Sequence, residues 1–255
     1  MCMLTFLKPA AAPDIPALRN GALCNPHGHG YALITGTTIT TGHSLDAETA
    51  LGEFAALRHE YPDGPALFHS RFATHGRRTL DNCHPFFVAG DERTVLAHNG
   101  ILPPNVHPAP GDERSDTRIA AEDFLPTTPF GSLDSWSGRE RLERWLGSDK
   151  IVLLTLDPAY RQRAYLFNEH RGHWDDKAGI WYSNHDYLDH RFGYAYYDGD
   201  FDYCDYCGEQ DVDRVGPHCT TCGFCADCER HFPHCDCAVF DGRQRYADLI
   251  DLDYA

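Results

Sequence analysis

A thiol, a guanidinium, a carboxamide beside a glycine, and a carboxylate lie within the first 116 residues. Cys2 follows Met1, which is ordinarily trimmed when the next residue is small. Trimming leaves a thiol and a free α-amino group on one carbon. Such an amine titrates near 8, so it can take its own side chain's proton, directly or through a water, as a nucleophile and base in one residue. Thiolate attack on an amide builds an oxyanion. The side-chain NH2 of Asn99 and the unhindered backbone N–H of Gly100 are two donors for it. Arg71 and Thr74 offer a guanidinium and a hydroxyl to an α-carboxylate, and Asp116 offers a carboxylate to an α-ammonium. Each has a plainer reading: a small strand residue for Cys2, a hairpin turn for Asn99-Gly100, a surface ion pair for Arg71, and a helix N-cap for Asp116. Their conjunction favours a site.

Apolar runs deliver these groups. Residues 65–68 lead into the Arg71 cluster and residues 95–97 into His98-Asn99-Gly100, as buried strands bounded by glycine and proline. Further strands are expected over 3–7, 31–34, 37–41, 151–156, 163–167 and 179–183. A helix is expected over 46–61, capped by Ser44, with Ala50, Leu51, Phe54, Ala55 and Leu57 as its apolar stripe. Shorter helices are expected over 117–124 and 137–146. Strands, then helices, then strands suit a layered α+β sandwich better than βαβ units.

The chain has 255 residues and a formal net charge of -16, so a broad electrostatic grip on nucleic acid is not expected. No run is long and apolar enough to span a membrane. The N-terminus does not read as a signal peptide, and a cytoplasmic protein is the expectation.

Eight of the eleven cysteines fall in one short segment, as Cys204-x2-Cys207, Cys219-x2-Cys222, Cys225-x2-Cys228 and Cys235-x-Cys237. Pairs two residues apart turn both sulfurs toward one tetrahedral ion, and two pairs complete a structural zinc site. Two zinc ions are the favoured reading. An iron–sulfur cluster on the unbroken CxxCxxCxxC is the alternative, and His218, His231 or His234 can replace a thiolate. The boundaries read as 2–193 for the main domain, 194–240 for the Cys-rich segment and 241–255 for a tail.

Four ordered motifs carry a resemblance. They are His69-Ser70-Arg71-Phe72-Ala73-Thr74-His75-Gly76, Asn82-Cys83-His84-Pro85, His98-Asn99-Gly100-Ile101 and Asp116-Thr117. With a Cys at position two, the chain resembles the class II glutamine amidotransferases, which are N-terminal-nucleophile hydrolases. The glutaminase half of glucosamine-6-phosphate synthases is the nearest pattern. The resemblance implies a four-layer αββα fold and hydrolysis of the glutamine side-chain amide to glutamate and ammonia. Cys2 would attack, Asn99 and Gly100 would hold the oxyanion, Arg71, Thr74 and His75 would bind the carboxylate, and Asp116 the ammonium. It also implies a separate protein that handles the ammonia acceptor.

Three positions depart from that pattern. Met3 stands where glycine is usual and is expected to crowd the thiol. Phe72 replaces a Trp or Tyr, and residues 25–30 replace an Arg-Gly-x-Asp segment. Two other readings remain: an amidohydrolase for a different γ-glutamyl amide, and a non-catalytic binding module of the same fold.

Overall fold

The computed structural model describes residues 2–188 and, beyond them, 204, 206–208, 214–215, 218–219 and 224. The chain divides into two compact units, Met1–Asp189 and His190–Ala255. Among the described residues no helix is long and apolar enough to cross a membrane.

Two antiparallel sheets build the first unit. One holds six strands in the spatial order β3 (Thr38–Ser44), β2 (His29–Thr35), β4 (Ala66–Ser70), β1 (Met3–Leu7), β10 (Ile180–Tyr182), β9 (His173–Asp175). The other holds β5 (Phe86–Val88), β6 (Asp91–Asn99), β7 (Lys150–Thr155) and β8 (Ala164–Phe167). Successive side chains on a strand point to opposite faces, and the core is sorted accordingly. Met3, Leu7, Phe68 and Tyr182 pack with α1 (Ile15–Cys24) and α2 (Ala47–Glu60). Leu4, Phe6, Leu67, Val95, Ala97 and Trp181 pack between the sheets. Leu96, Ile151 and Leu153 pack with residues of the helical turns after α3 (Asp116–Ile119) and of α4 (Trp136–Leu146).

Several expected elements shift. The cap of α2 is Asp46, which accepts the Thr49 N–H at 2.8 Å, and not Ser44, whose hydroxyl accepts the Asp46 N–H at 3.0 Å. An aspartate one residue from the helix reaches the orphan N–H groups that a serine three residues away cannot. The helix expected over 117–124 is a single α-helical turn continued as a π-helical one, Ala120–Phe124. No element was expected between residues 7 and 25, where α1 forms behind the Asp14 cap with proline in its first turn. Strand β9 was also not anticipated.

Met3 does not crowd the thiol. It is 2% exposed and lies on the helix-side face, packed against Gly21 of α1, where an added Cβ would stand 2.1 Å from the Met3 sulfur. Cys2 belongs by alternation to the opposite face, with Leu4 and Phe6.

Arg58 of α2 is buried and holds the loops at the far end of β1. Its Nε donates to Ala11 O at 2.9 Å, one terminal nitrogen to Lys8 O at 2.6 Å and the other to Gly64 O. Arg58→Met keeps the stem but removes all three hydrogen bonds and leaves the Ala11 and Gly64 carbonyls without their guanidinium donors. We expect it to cost roughly 3 kcal/mol, a fall in Tm of about 6–12 °C for a unit this size, read by thermal denaturation.

Candidate active site

Strand β1 positions Cys2, the expected nucleophile. It pairs antiparallel with β4 on one side, Met3 opposite Ser70, and with β10 on the other, Thr5 opposite Tyr182. The start of β1 therefore lies beside the ends of both neighbours. Arg71 and Ser183 are the next residues beyond those ends, and Asn99 closes β6 on the facing sheet. Period-two alternation assigns Cys2, Arg71, Ser183 and Asn99 all to the side between the sheets, in step with Leu4, Leu67, Trp181 and Ala97.

The contacts follow. Cys2 is buried, and its Sγ accepts the Phe72 N–H at 3.3 Å while lying 3.5 Å from Phe72 O. Burial raises the thiol's pKa; the Phe72 contact and the Arg71 charge offset part of that. The Cys2 carbonyl accepts from Asn184 Nδ2 at 3.1 Å. Next along the chain, Ser183 exchanges backbone and side-chain bonds with Leu4: its N–H donates to Leu4 O at 2.9 Å, and its Oγ accepts the Leu4 N–H at 2.9 Å. Asn99 Nδ2 donates to the same Oγ at 2.8 Å. Asn99 Oδ1 is buried without a partner. The sequence reading aimed that NH2 at an oxyanion; here it faces Ser183.

Arg71 is buried, and two of its five N–H donors already go to its own loop, to Arg77 O at 2.9 Å and His75 O at 2.7 Å. The loop is tied further by Asn82, whose amide donates to Arg77 O and Glu113 O and accepts from Ser115 N. Gly76 (φ 71°) makes this crossing possible, because a Cβ there would meet Ser115 N at 2.6 Å. Thr74 is exposed and makes no hydrogen bond among the described residues. Segment 25–30 does border the site: His27 N donates to Arg71 O, its ring lies 4.7 Å from Phe72, and its Nδ1 accepts from Ala73 N.

Asp116 is 5% exposed. Ser115 is the helix cap, accepting from Arg118 N at 3.2 Å, which releases Asp116 from that duty. Its oxygens accept from Leu102 N at 2.9 Å and Thr117 N at 2.8 Å, and His75 Nδ1 stands 3.9 Å from Oδ2. Asn99-Gly100 is no hairpin turn, since β6 pairs onward with β7 across a long excursion. Gly100 (φ 143°) has the Asp149 carboxyl where a Cβ would sit, 2.0 Å away. That carboxyl accepts from His98 at 3.1 Å, and burial raises its pKa. Ser183, Asn184, Asp149 and His107 were not singled out from sequence. The first two sit at the end of an expected strand, where a polar pair is a usable signal.

In the second unit Cys204 is buried and packs with Tyr206, Cys207 and Phe224. Gly208 (φ 72°) donates to Cys204 O at 2.8 Å, closing a turn around the Cys204–Cys207 pair. Residues 214–215 and 218–219 form a two-stranded pair. The Cys219 side chain and Cys222, Cys225, Cys228, Cys235 and Cys237, with His231 and His234, lie outside the described residues.

Buried histidines underlie the site. His69 Nε2 lies 2.8 Å from His84 Nδ1 and 3.0 Å from His98 O. Burial holds His69 and His84 well below the ordinary histidine value, lowers His29 and His43, and brings His173 to about 4. His69, His84 and His173 stay neutral in the folded chain well below pH 6.5, so as pH falls from there the unfolded chain binds more protons than the native one. Stability is then complete above pH 6.5 and falls as pH drops, by about 1.4 kcal/mol per unit for each such site. Urea midpoints should decline steadily from pH 7 to pH 5; a flat profile contradicts this arrangement.

Over 71 residues the chain is 32% identical to a glutamine–fructose-6-phosphate aminotransferase (isomerizing) of Streptococcus pyogenes, covering 26% of this chain and 12% of that protein. Over 99 residues it is 34% identical to the Mycobacterium bovis protein of the same name, covering 37% and 15%. The chain thus spans a small fraction of the length of the curated relatives it matches. No family model matches it. Among solved structures it is similar to a glutamine phosphoribosylpyrophosphate amidotransferase from B. subtilis (15% identity, TM-score 0.41, 71% of this chain and 41% of that one). It is also similar to a glutamine aminotransferase class-II domain protein from Silicibacter pomeroyi (14% identity, TM-score 0.35, 71% and 87%). At these values the structural likenesses add nothing to the sequence match. In sequence, the chain resembles the class II glutamine amidotransferases over these stretches.

Proposed function

We propose that the chain hydrolyses the side-chain amide of glutamine through Cys2, once Met1 is removed, and passes the ammonia to an acceptor that a separate protein handles. The observation that carries this reading is the register of β1. It sets Cys2 against Arg71-Phe72 and links it, through Ser183 and Asn184, to Asn99. The order helices, sheet, sheet, helices, with the site at an edge of the inter-sheet layer, fits a four-layer αββα sandwich of the N-terminal-nucleophile type.

The free α-amine of Cys2 accepts the thiol proton, directly or through a water, because a buried thiol does not ionise readily unaided. The thiolate adds to the amide carbon and the carbonyl electrons move to oxygen. Gly100 N–H and Asn99 Nδ2 stabilise that oxyanion. Collapse breaks the C–N bond, the amine returns its proton to the departing nitrogen, and ammonia leaves. Water then cleaves the thioester to glutamate and restores the thiol. Arg71, with donors left over from its loop, and Thr74 and His75 hold the substrate carboxylate; Asp116 holds the ammonium.

Asn99 must present nitrogen, not oxygen, to the oxyanion. A half-turn of its carboxamide exchanges the two without moving other atoms. Ser183 Oγ then accepts from Leu4 N and donates its own hydrogen to Asn99 Oδ1, and Nδ2 faces where the unpartnered oxygen stood. In that orientation Leu4 N–H, Ser183 Oγ and Asn99 Oδ1 are satisfied and Nδ2 is left for the oxyanion, which makes Ser183 the residue that positions the oxyanion donor.

The test is reaction with a glutamine-like alkylating agent, peptide mapping and glutamate release. Intact mass should lack Met1, the label should fall on Cys2, and Cys2→Ala should release no glutamate. Ser183→Ala should lower kcat by about tenfold or more with little change in KM, as loss of one oxyanion donor does, and Ser183→Thr should recover part of it. Retained Met1 with an unlabelled Cys2 would sink the reading.

We propose further that Cys204, Cys207, Cys219, Cys222, Cys225, Cys228, Cys235 and Cys237 hold two structural zinc ions. The glycine-closed turn at Cys204–Cys207 supports it, because such a turn lets two thiolates face one ion. Metal analysis of the purified chain should find two zinc atoms, and Cys204→Ser should lose one; a zinc-free, iron-containing chain refutes it.

A further inference from the structure

His75, His107 and Asp116 each offer one ligand atom, and those atoms all lie within 4.8 Å of one another. They come from the loop after β4, the proline-rich loop and the first turn of α3, so the fold gathers them. Leu102 fixes two of the three: its carbonyl accepts from His107 Nε2 at 2.5 Å, and its N–H donates to Asp116 Oδ2 at 2.9 Å. A histidine that gives its Nε2–H to a backbone carbonyl keeps a lone pair on Nδ1. That is how metal-ligating histidines are commonly oriented.

His75 completes the group. Its ring lies 4.3 Å from that of His107 at a 36° tilt, so the two ring planes converge. Its Nδ1 is buried without a hydrogen-bond partner and lies 3.9 Å from Asp116 Oδ2, too far for a hydrogen bond. Ligands on a tetrahedral zinc at its usual bond lengths stand about 3.4 Å apart. An ion bridging His75 and Asp116 thus needs a movement of about half an ångström.

We propose that His75, His107 and Asp116 form a binding site for a divalent transition metal, with zinc suited to its two imidazoles and one carboxylate and a fourth position left open. Metal and glutamine exclude one another there, a consequence that rests on the glutaminase reading, which assigns His75 and Asp116 to the substrate. The site is separate from the thiolate segment and acts as an off-switch.

The full chain, purified with its thiolate-bound zinc and desalted, is titrated with zinc by calorimetry beside His107→Gln. The native chain should take up one more ion, weakened roughly tenfold or more in the variant. Equal uptake by both proteins overturns the proposal. In glutamate-release assays zinc should raise KM for glutamine in the native chain without lowering kcat, and should not in the variant, each compared with its own zinc-free activity. If neither protein releases glutamate, the glutaminase reading fails while the titration still decides the metal site. Should the variant not fold, histidine NMR signals of the native chain decide: those of His75 and His107 must move on adding zinc, and unmoved signals refute the site.

Discussion

Strand β1 has a neighbour on each side, and nearly everything else in the first unit depends on that. A five-residue strand bonded to β4 and β10 cannot slip: a one-residue shift would turn Met3 toward the second sheet and Leu4 toward the helices. The register that buries Leu4 and Phe6 between the sheets is therefore the register that holds Cys2 against Phe72. Chain ends normally fray. Here the start of β1 is anchored on the β10 side by Asn184 on the Cys2 carbonyl and Ser183 on Leu4, and on the β4 side by the Phe72 N–H on the Cys2 sulfur. A side chain placed this way depends on sheet pairing rather than on a loop for its position.

The second constraint is polar. Near the site, the inter-sheet layer changes from Val95, Ala97, Val152 and Leu154 to His69, His84, Asn99 and Ser183, while His98 is buried on the opposite face of β6. Burying such groups is unfavourable unless each finds a partner. Most do: His98 between Thr117 and Asp149, His69 on His84 and the His98 carbonyl, Asn82 on three backbone groups. Among the described residues the buried side-chain atoms left over are His69 Nδ1, His75 Nδ1 and Asn99 Oδ1. Two of those three belong to residues the sequence had already singled out, and unsatisfied groups in a native structure cluster where function overrides packing.

The motif residues were legible because their chemistry is compressed into short strings at the ends of apolar runs. Arg71, Asn99 and Asp116 could be picked out without knowing how the strands pair. Ser183 and His107 could not, because each draws its meaning from residues that only the fold brings to it, Asn99 for Ser183 and the His75–Asp116 pair for His107. Helix α1 was hidden because Pro13 and Pro16 flank its start, until Asp14 is seen to cap it and Pro16 to lie in the first turn, where no N–H is needed. The cap of α2 was misplaced by two residues for a local reason, since Ser44 and Asp46 are both good caps and only the backbone path decides between them.

The three departures from the amidotransferase pattern are better understood together than singly. Met3, which seemed on sequence to obstruct the thiol, fills a notch over Gly21 on the other face of the sheet, and α1 approaches closely enough to need that glycine. Phe72 has no ring donor, yet its backbone N–H is the group that meets the Cys2 sulfur, and its ring rests on His27. His27 in turn belongs to the segment that replaces the family's Arg-Gly-x-Asp stretch, and it bonds both Arg71 O and Ala73 N. The substituted segment and the substituted aromatic thus support each other, and between them they hold the backbone of residues 71–73 in place. What the ring of Phe72 cannot donate, the main chain of the same residue supplies.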